Sequence, residues 1–350
     1  MQRVKIGVIG CGSIGKIHIA NLKKIESAEV VAACDIDEEE LKRVREEFGV
    51  ERLYKDYRDL LAEEDIDGVI VATPNRWHSI MTIEALRSGK HVLCEKPPAI
   101  TAKEVQEMYN ASKKYGRGLL IGLGFRFMSQ SQALKKLVEE GVLGEAYYSR
   151  ALFLRRSGIP GMGSWFTRKK DAGAGALYDI GVHALDLALW LMGDFKAKEV
   201  WASTFAKFGP YGRGLGGWGK PVPGGIFDVD DFATVYIKMQ SGAVVYLEVS
   251  WAAFVPEDVL DVIVLGDKGG LEHKTATVFT ERAGVRVNMK LQYQANQPLV
   301  DELKHFVKII AKDEDPLTKP EEMIWLQAIL EAALRSAEKG EVVEVESLLF

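Results

Sequence analysis

Residues 4–15 read VKIGVIGCGSIG. Val4-Lys5-Ile6-Gly7-Val8-Ile9 is an apolar run of the length of a buried strand, and Gly10-Cys11-Gly12-Ser13-Ile14-Gly15 follows it without a gap. A G-x-G-x-x-G spacing alone is a weak signal. Placed between a strand and a helical pattern running from Ser13 to about Ile25, it becomes a device for holding a diphosphate. The glycines permit a tight turn and let backbone N–H groups approach, while the helix N-terminus favours negative charge. Asp35 lies twenty residues past Gly15, at the end of the next apolar run, Val30-Val31-Ala32-Ala33-Cys34. A carboxylate there accepts hydrogen bonds from the adenosine ribose hydroxyls. Ile36-Asp37 follow, with no arginine to hold a 2′-phosphate, which favours NAD over NADP.

The same alternation continues along the chain. Asp67 to Ala72, His91 to Cys94 and Leu119 to Gly122 are further apolar runs, each separated from the next by a helical pattern. Strand and helix in strict succession predict βαβ units and a doubly wound parallel sheet of the Rossmann type. After residue 123 the pattern changes. Tyr147 to Leu154, Phe232 to Met239 and Ala243 to Trp251 read as strands, the last two joined by a hairpin signal in QSGA. Val245, Leu247, Val249 and Trp251 fall on one face. The expected architecture is therefore two domains. Residues 1–123 would bind the dinucleotide, and residues 124–350 would form an α+β domain with a mainly antiparallel open sheet. A Gly- and Pro-rich stretch, 209–225, reads as a long surface loop, and helices are expected over 298–311 and 320–339.

Composition narrows the function. With 47% hydrophobic and 27% charged residues and a net charge of -5, the chain offers no broad basic footprint for nucleic acid. The N-terminal apolar run is broken by glycine too soon for a signal peptide, and no stretch approaches the length of a membrane span. Three cysteines make no disulfide framework; Cys11, Cys34 and Cys94 each close an apolar run, as reduced core thiols do. A cytoplasmic protein without a metal site or a membrane partner is expected.

Three stretches carry chemistry. In VATPNRWH, Thr73, Pro74 and Asn75 end a strand at the edge where such sheets bind ligands. In HVLCEKPPAI, residues 91–100, a strand delivers Glu95 and Lys96 to that edge, and Pro97-Pro98 stiffen the turn behind them. A solvated lysine needs no such setting. In GAGALYDIGVHALDLALWLMG, residues 173–193, Asp179 and His183 stand four apart on one expected helix face, with Asp186 nearly alongside. A carboxylate one turn from an imidazole can hold its tautomer, as an acid/base pair requires.

Gly10-x-Gly12-x-x-Gly15 with His18, Asp35, Thr73-Pro74-x-x-x-His78, Glu95-Lys96-Pro97 and Asp179-x-x-x-His183 together resemble the glucose–fructose oxidoreductase, inositol dehydrogenase and MocA (Gfo/Idh/MocA) family. The resemblance runs over most of the chain. It implies that Lys96, Asp179 and His183 act on a ring hydroxyl of a sugar, sugar derivative or cyclic polyol beside the nicotinamide. His183, oriented by Asp179, would take the proton, and Lys96 would hydrogen-bond the oxygen. It also implies that the cofactor is held by Gly10, Gly12, Ser13, Ile14, Gly15, Asp35, Thr73, Pro74, Asn75, His78, Glu95 and Lys96, and that the open sheet face builds a homodimer or homotetramer. Arg126, Arg155 and Trp165 are expected near the mouth of the substrate pocket, alongside Lys96, Asp179 and His183. Two other activities occur among such proteins: NAD-dependent glycosidases with transient redox chemistry, and silent sugar or dinucleotide sensors. The intact Lys96, Asp179 and His183 argue against a sensor.

Overall fold

The structure, a computed structural model, describes residues 3–349 and divides into two compact units. The first opens with β1 (Val4–Ile9), α1 (Ser13–Leu22), β2 (Ala28–Cys34), α2 (Glu38–Phe48), β3 (Arg52–Tyr54), α3 (Tyr57–Leu61), β4 (Gly68–Val71), α4 (His78–Arg87), β5 (His91–Glu95), α5 (Ala102–Tyr115) and β6 (Leu119–Gly122). The six strands are parallel, in the order β3-β2-β1-β4-β5-β6. Strand order reverses between β1 and β4, and the carboxyl ends of these strands form the crevice that such sheets use for ligands. β4 and β5 are buried at every position, as strands covered on both faces must be. Helix ends follow local chemistry. The Asp37 carboxylate accepts the Glu39 N–H at the start of α2, which ends at Gly49 with φ 68°. Thr101 and Glu104 form a capping box on α5.

The second unit contains α6 (Ser129–Glu139), β7 (Ala146–Leu154), α7 (Lys169–Ala172), α8 (Ala176–Asp179), α9 (Gly181–Met192), β8 (Ala197–Phe205), β9 (Phe232–Met239), β10 (Val244–Ser250), β11 (Val259–Gly266), β12 (Gly269–Glu272), β13 (Thr277–Arg282) and β14 (Val285–Lys290). Only β7 and β10 pair in parallel; the other contacts of this sheet are antiparallel. One face is apolar and buried, with Val200, Val235, Val245, Leu247, Ala151 and Val262 on it, and α9 packs against that side. The period-two alternation sends the intervening residues to the opposite face. There Trp201 pairs with Tyr236 and Tyr236 with Tyr246, and the first two are 52% and 46% exposed.

The chain closes with α10 (Pro298–Ala311), α11 (Pro320–Lys339) and β15 (Val343–Glu344), which pairs with β8. The expected single boundary at 123/124 needs correction, because residues 297–323 belong to the first unit. The reason is the apolar stripe of α10. Val300, Leu303, Phe306, Val307 and Ile309 join Ile6, Ile19, Ile70, Leu93 and Leu120 in one core. Among the described residues, no single helix is long and apolar enough to cross a membrane.

Candidate active site

The phosphate loop is built as its glycines require. Gly10 has φ +97°, and a Cβ on it would run into the carbonyl of Ala72. A Cβ on Gly15 would strike the carbonyl oxygen of Gly10, so the third glycine is what lets α1 start this close to β1. A Cβ on Gly12 would meet nothing within 4 Å; the space it would fill lies open before the start of α1, whose first turn carries neither an acidic residue nor a side-chain cap. An anion fits there. Ser13 and Ile14 supply the first N–H groups of α1. Asp35 accepts the Cys11 N–H at 2.6 Å and the Asp37 N–H at 2.9 Å, which ties its carboxylate to the loop. Burial pushes its pKa up, and these two hydrogen bonds pull it down. Ile36, beside it, is 89% exposed and offers an apolar surface to a nucleobase. At the end of β4, Thr73 Oγ1 is buried with no hydrogen-bond partner among the described residues. Cradle, carboxylate and orphaned hydroxyl fit a dinucleotide.

β5 then delivers the lysine. Glu95, Pro97 and Pro98 are buried, while Lys96 is partly exposed between them, and the Lys96–Pro97 bond is cis. Glu95 Oε1 lies 2.7 Å from His18 Nε2, and Oε2 accepts the Lys96 N–H at 3.2 Å. His78, 1% exposed, has Nδ1 2.8 Å from the Pro97 carbonyl and Nε2 2.8 Å from the Thr73 carbonyl. Burial lowers its pKa, and a neutral imidazole donates to one of these carbonyls at a time. Glu95 turns its carboxylate to His18 and the backbone, and both nitrogens of His78 face backbone carbonyls. These contacts brace the Thr73 and Lys96 turns. Behind them, Glu302 on α10 is fully buried without a hydrogen-bond partner among the described residues, and its pKa is raised well above the usual carboxylate range, first by burial and then by the charge of Glu95.

In the second unit, the helix expected to carry both Asp179 and His183 is broken. Asp179 ends α8, His183 sits in the first turn of α9, and the axis bends by 49° between the segments. Shared-face spacing therefore does not describe the pair. Every residue of α9 is buried except His183. Its ring stacks on Phe125, centroids 4.6 Å apart at 26°. Asp179 Oδ2 accepts the indole N–H of Trp251 at 2.8 Å. The Asp230 carboxylate, its pKa pushed up to about 6 by burial, accepts the N–H groups of Gly175 at 2.7 Å and Leu177 at 2.9 Å and so anchors α8.

Arg126 is corrected outright. It is 0% exposed and grips Asp186 through Nε (3.0 Å) and Nη2 (2.6 Å), with its guanidinium over Trp190 and Phe195. A buried, paired guanidinium is a core strut and not a substrate arginine. The same pairing occupies the Asp186 carboxylate. Arg155 lies over the Phe153 ring and half-buried Trp165 stacks on Phe166, 3.8 Å between centroids.

A parallel Rossmann sheet whose first strand-to-helix turn fits a diphosphate defines a dinucleotide-binding protein. Residues 4–123 match the oxidoreductase family with an NAD-binding Rossmann fold, and residues 131–272 match the GFO/IDH/MocA C-terminal domain. The chain is 32% identical to D-glucoside 3-dehydrogenase of Escherichia coli K12, covering 98% of this chain and 97% of that one. It is 30% identical to myo-inositol 2-dehydrogenase of Thermotoga maritima, covering 99% and 100%. Among solved structures, levoglucosan dehydrogenase in complex with NADH and L-sorbose superposes with a TM-score of 0.83 at 26% identity, covering 99% of both chains. The protein belongs to the Gfo/Idh/MocA family, and its cofactor is NAD.

Proposed function

We propose that the protein oxidises a ring hydroxyl of a sugar, a sugar derivative or a cyclic polyol, and that Lys96, Asp179 and His183 handle the oxygen and proton of that hydroxyl. One observation carries the reading. Lys96 and His183 are each left partly accessible inside a segment that is otherwise buried, Lys96 with its N–H on the Glu95 carboxylate and His183 with its ring on Phe125. Bound NAD supplies the hydride acceptor. His183 takes the hydroxyl proton, Asp179 orients and stabilises the imidazole as it gains charge, and Lys96 donates a hydrogen bond to the oxygen as negative charge grows on it. In the reducing direction the same groups return the proton.

The substrate class is supported by relatives named for a D-glucoside and for myo-inositol, both six-membered rings bearing secondary hydroxyls. Arg155 and Trp165 are proposed to face it, the indole offering a flat surface to a sugar ring. Exposed Trp201 and Tyr236 on the open sheet face support assembly into a homo-oligomer, a dimer or tetramer, through that face. Three buried free thiols support a reducing compartment, the cytoplasm.

The test is NADH formation by purified protein with NAD across myo-inositol, methyl glucosides, levoglucosan and free hexoses, with Lys96→Ala in parallel. Turnover on one class that the variant loses is the expected result. NAD binding without turnover on any ring polyol would sink the reading.

A further inference from the structure

We propose that Trp251 is a positioning residue, whose indole N–H sets the direction of the Asp179 carboxylate. The inference rests on the reading above and extends it to a residue outside the Lys96, Asp179 and His183 set. Trp251 follows β10 and is fully buried, on the face shared by Val245, Leu247 and Val249. A buried indole needs an acceptor for its N–H. Here that acceptor is Asp179 Oδ2, 2.8 Å away, rather than a backbone carbonyl.

The local helix cannot perform this task. α8 is four residues long, a single turn, and the chain bends by 49° immediately after Asp179. One turn does not hold its own geometry in isolation. Its N-terminal end is tied down by the Asp230 carboxylate through Gly175 and Leu177, and by the Asp230 carbonyl through the Ala176 N–H at 3.1 Å. Gly175 packs so closely on that carbonyl that no Cβ would fit. Asp179, at the other end, is held by Trp251, whose own backbone N–H donates to the Asp231 carbonyl at 2.9 Å. The sheet, through the consecutive Asp230 and Asp231 and through Trp251, thus fixes both ends of the turn. Displacements of about 1 Å in a positioned catalytic group can cost on the order of a hundredfold in rate.

Trp251→Phe keeps the buried ring and removes the donor. It should lower kcat about tenfold or more while the KM for NAD and the melting temperature stay near those of the parent. In an Asp179→Asn background the same substitution should change kcat little, because the group it orients has already been disabled. The Trp251 indole N–H proton resonance should also move in Asp179→Asn alone, a readout that does not depend on turnover. A Trp251→Phe enzyme with parental kcat, losses that multiply in the double variant, or an indole resonance indifferent to Asp179→Asn would each overturn the inference and leave the dehydrogenase reading standing. Absence of turnover by the parent on every sugar and polyol probe would remove both.

Discussion

His18 Nε2 stands 2.7 Å from Glu95 Oε1, with the two side chains 0% and 10% exposed. His18 belongs to the helix that begins at the phosphate loop, and Glu95 immediately precedes Lys96. A buried contact therefore links the helix that begins at the glycine-rich loop to the turn that carries Lys96. Glu95→Gln preserves shape and removes the carboxylate, leaving a weaker acceptor for His18. It should cost about 1–3 kcal/mol of stability and lower kcat more than it raises the KM for NAD. Thermal unfolding together with steady-state kinetics checks this; a variant that loses only NAD affinity would speak against a role at the lysine.

In the proposed mechanism, Lys96→Ala removes the donor to the developing oxygen charge. Turnover should fall roughly 10²–10⁴-fold, the range for loss of one positioned proton-transfer or charge-stabilising group. NAD affinity, measured by calorimetry, should change only a few-fold.

Asp35→Ala removes the acceptor of the Cys11 N–H and, in the proposed cofactor site, of the ribose hydroxyls. A lost charge-assisted hydrogen bond is worth about 1.5–3 kcal/mol, so NAD affinity should drop roughly ten- to a hundredfold. Because the same carboxylate repels a 2′-phosphate, the preference for NAD over NADP should narrow. Titrating both cofactors against parent and variant reads this directly.

Glu302 is buried without a hydrogen-bond partner among the described residues, and its pKa in the folded protein is raised. The folded state therefore holds this proton more tightly than the unfolded chain does. The resulting stability is fully present below the ordinary carboxylate range and is lost as pH rises towards the folded-state pKa. Glu302→Leu should accordingly match the parent near pH 4 and exceed it at pH 8, the gap growing by up to about 1.4 kcal/mol per pH unit in between. Denaturant unfolding across pH measures the gap, and a constant difference would place the effect in packing instead.

Burial pushes the thiols of Cys34 and Cys94 up to about 12, and Cys11 is raised as well. None should react with an aromatic disulfide reagent at pH 8 in the folded protein, and all three should react once it is unfolded in denaturant.

Much of this was legible in the residues. The phosphate loop, Asp35 and the Glu95-Lys96-Pro97 turn are local devices: spacing relative to a strand end decides where they point, and period-two and helical patterns disclose the strand ends. The buried face of β10 was equally legible, because alternation in a strand assigns its sides without knowledge of the partner. Arg126 and Asp186 were not. An arginine sixty residues from its carboxylate carries no sign in the sequence that the two will meet, and a buried ion pair looks the same in a string of letters as two solvated charges. Asp179 and His183 misled in a different way. Their i,i+4 spacing is genuine, but a bend at Ile180 rotates one segment against the other.

The sequence by itself determined the class of fold and the cofactor, since each depends on short-range order along one strand or turn. Tertiary structure decided which side chains meet: His18 with Glu95, Phe125 with His183, Trp251 with Asp179. It also decided that α10 returns to complete the first core. These are contacts between segments far apart in the chain, and only the packing of complementary surfaces, which no local pattern encodes, selects one such pairing over the others.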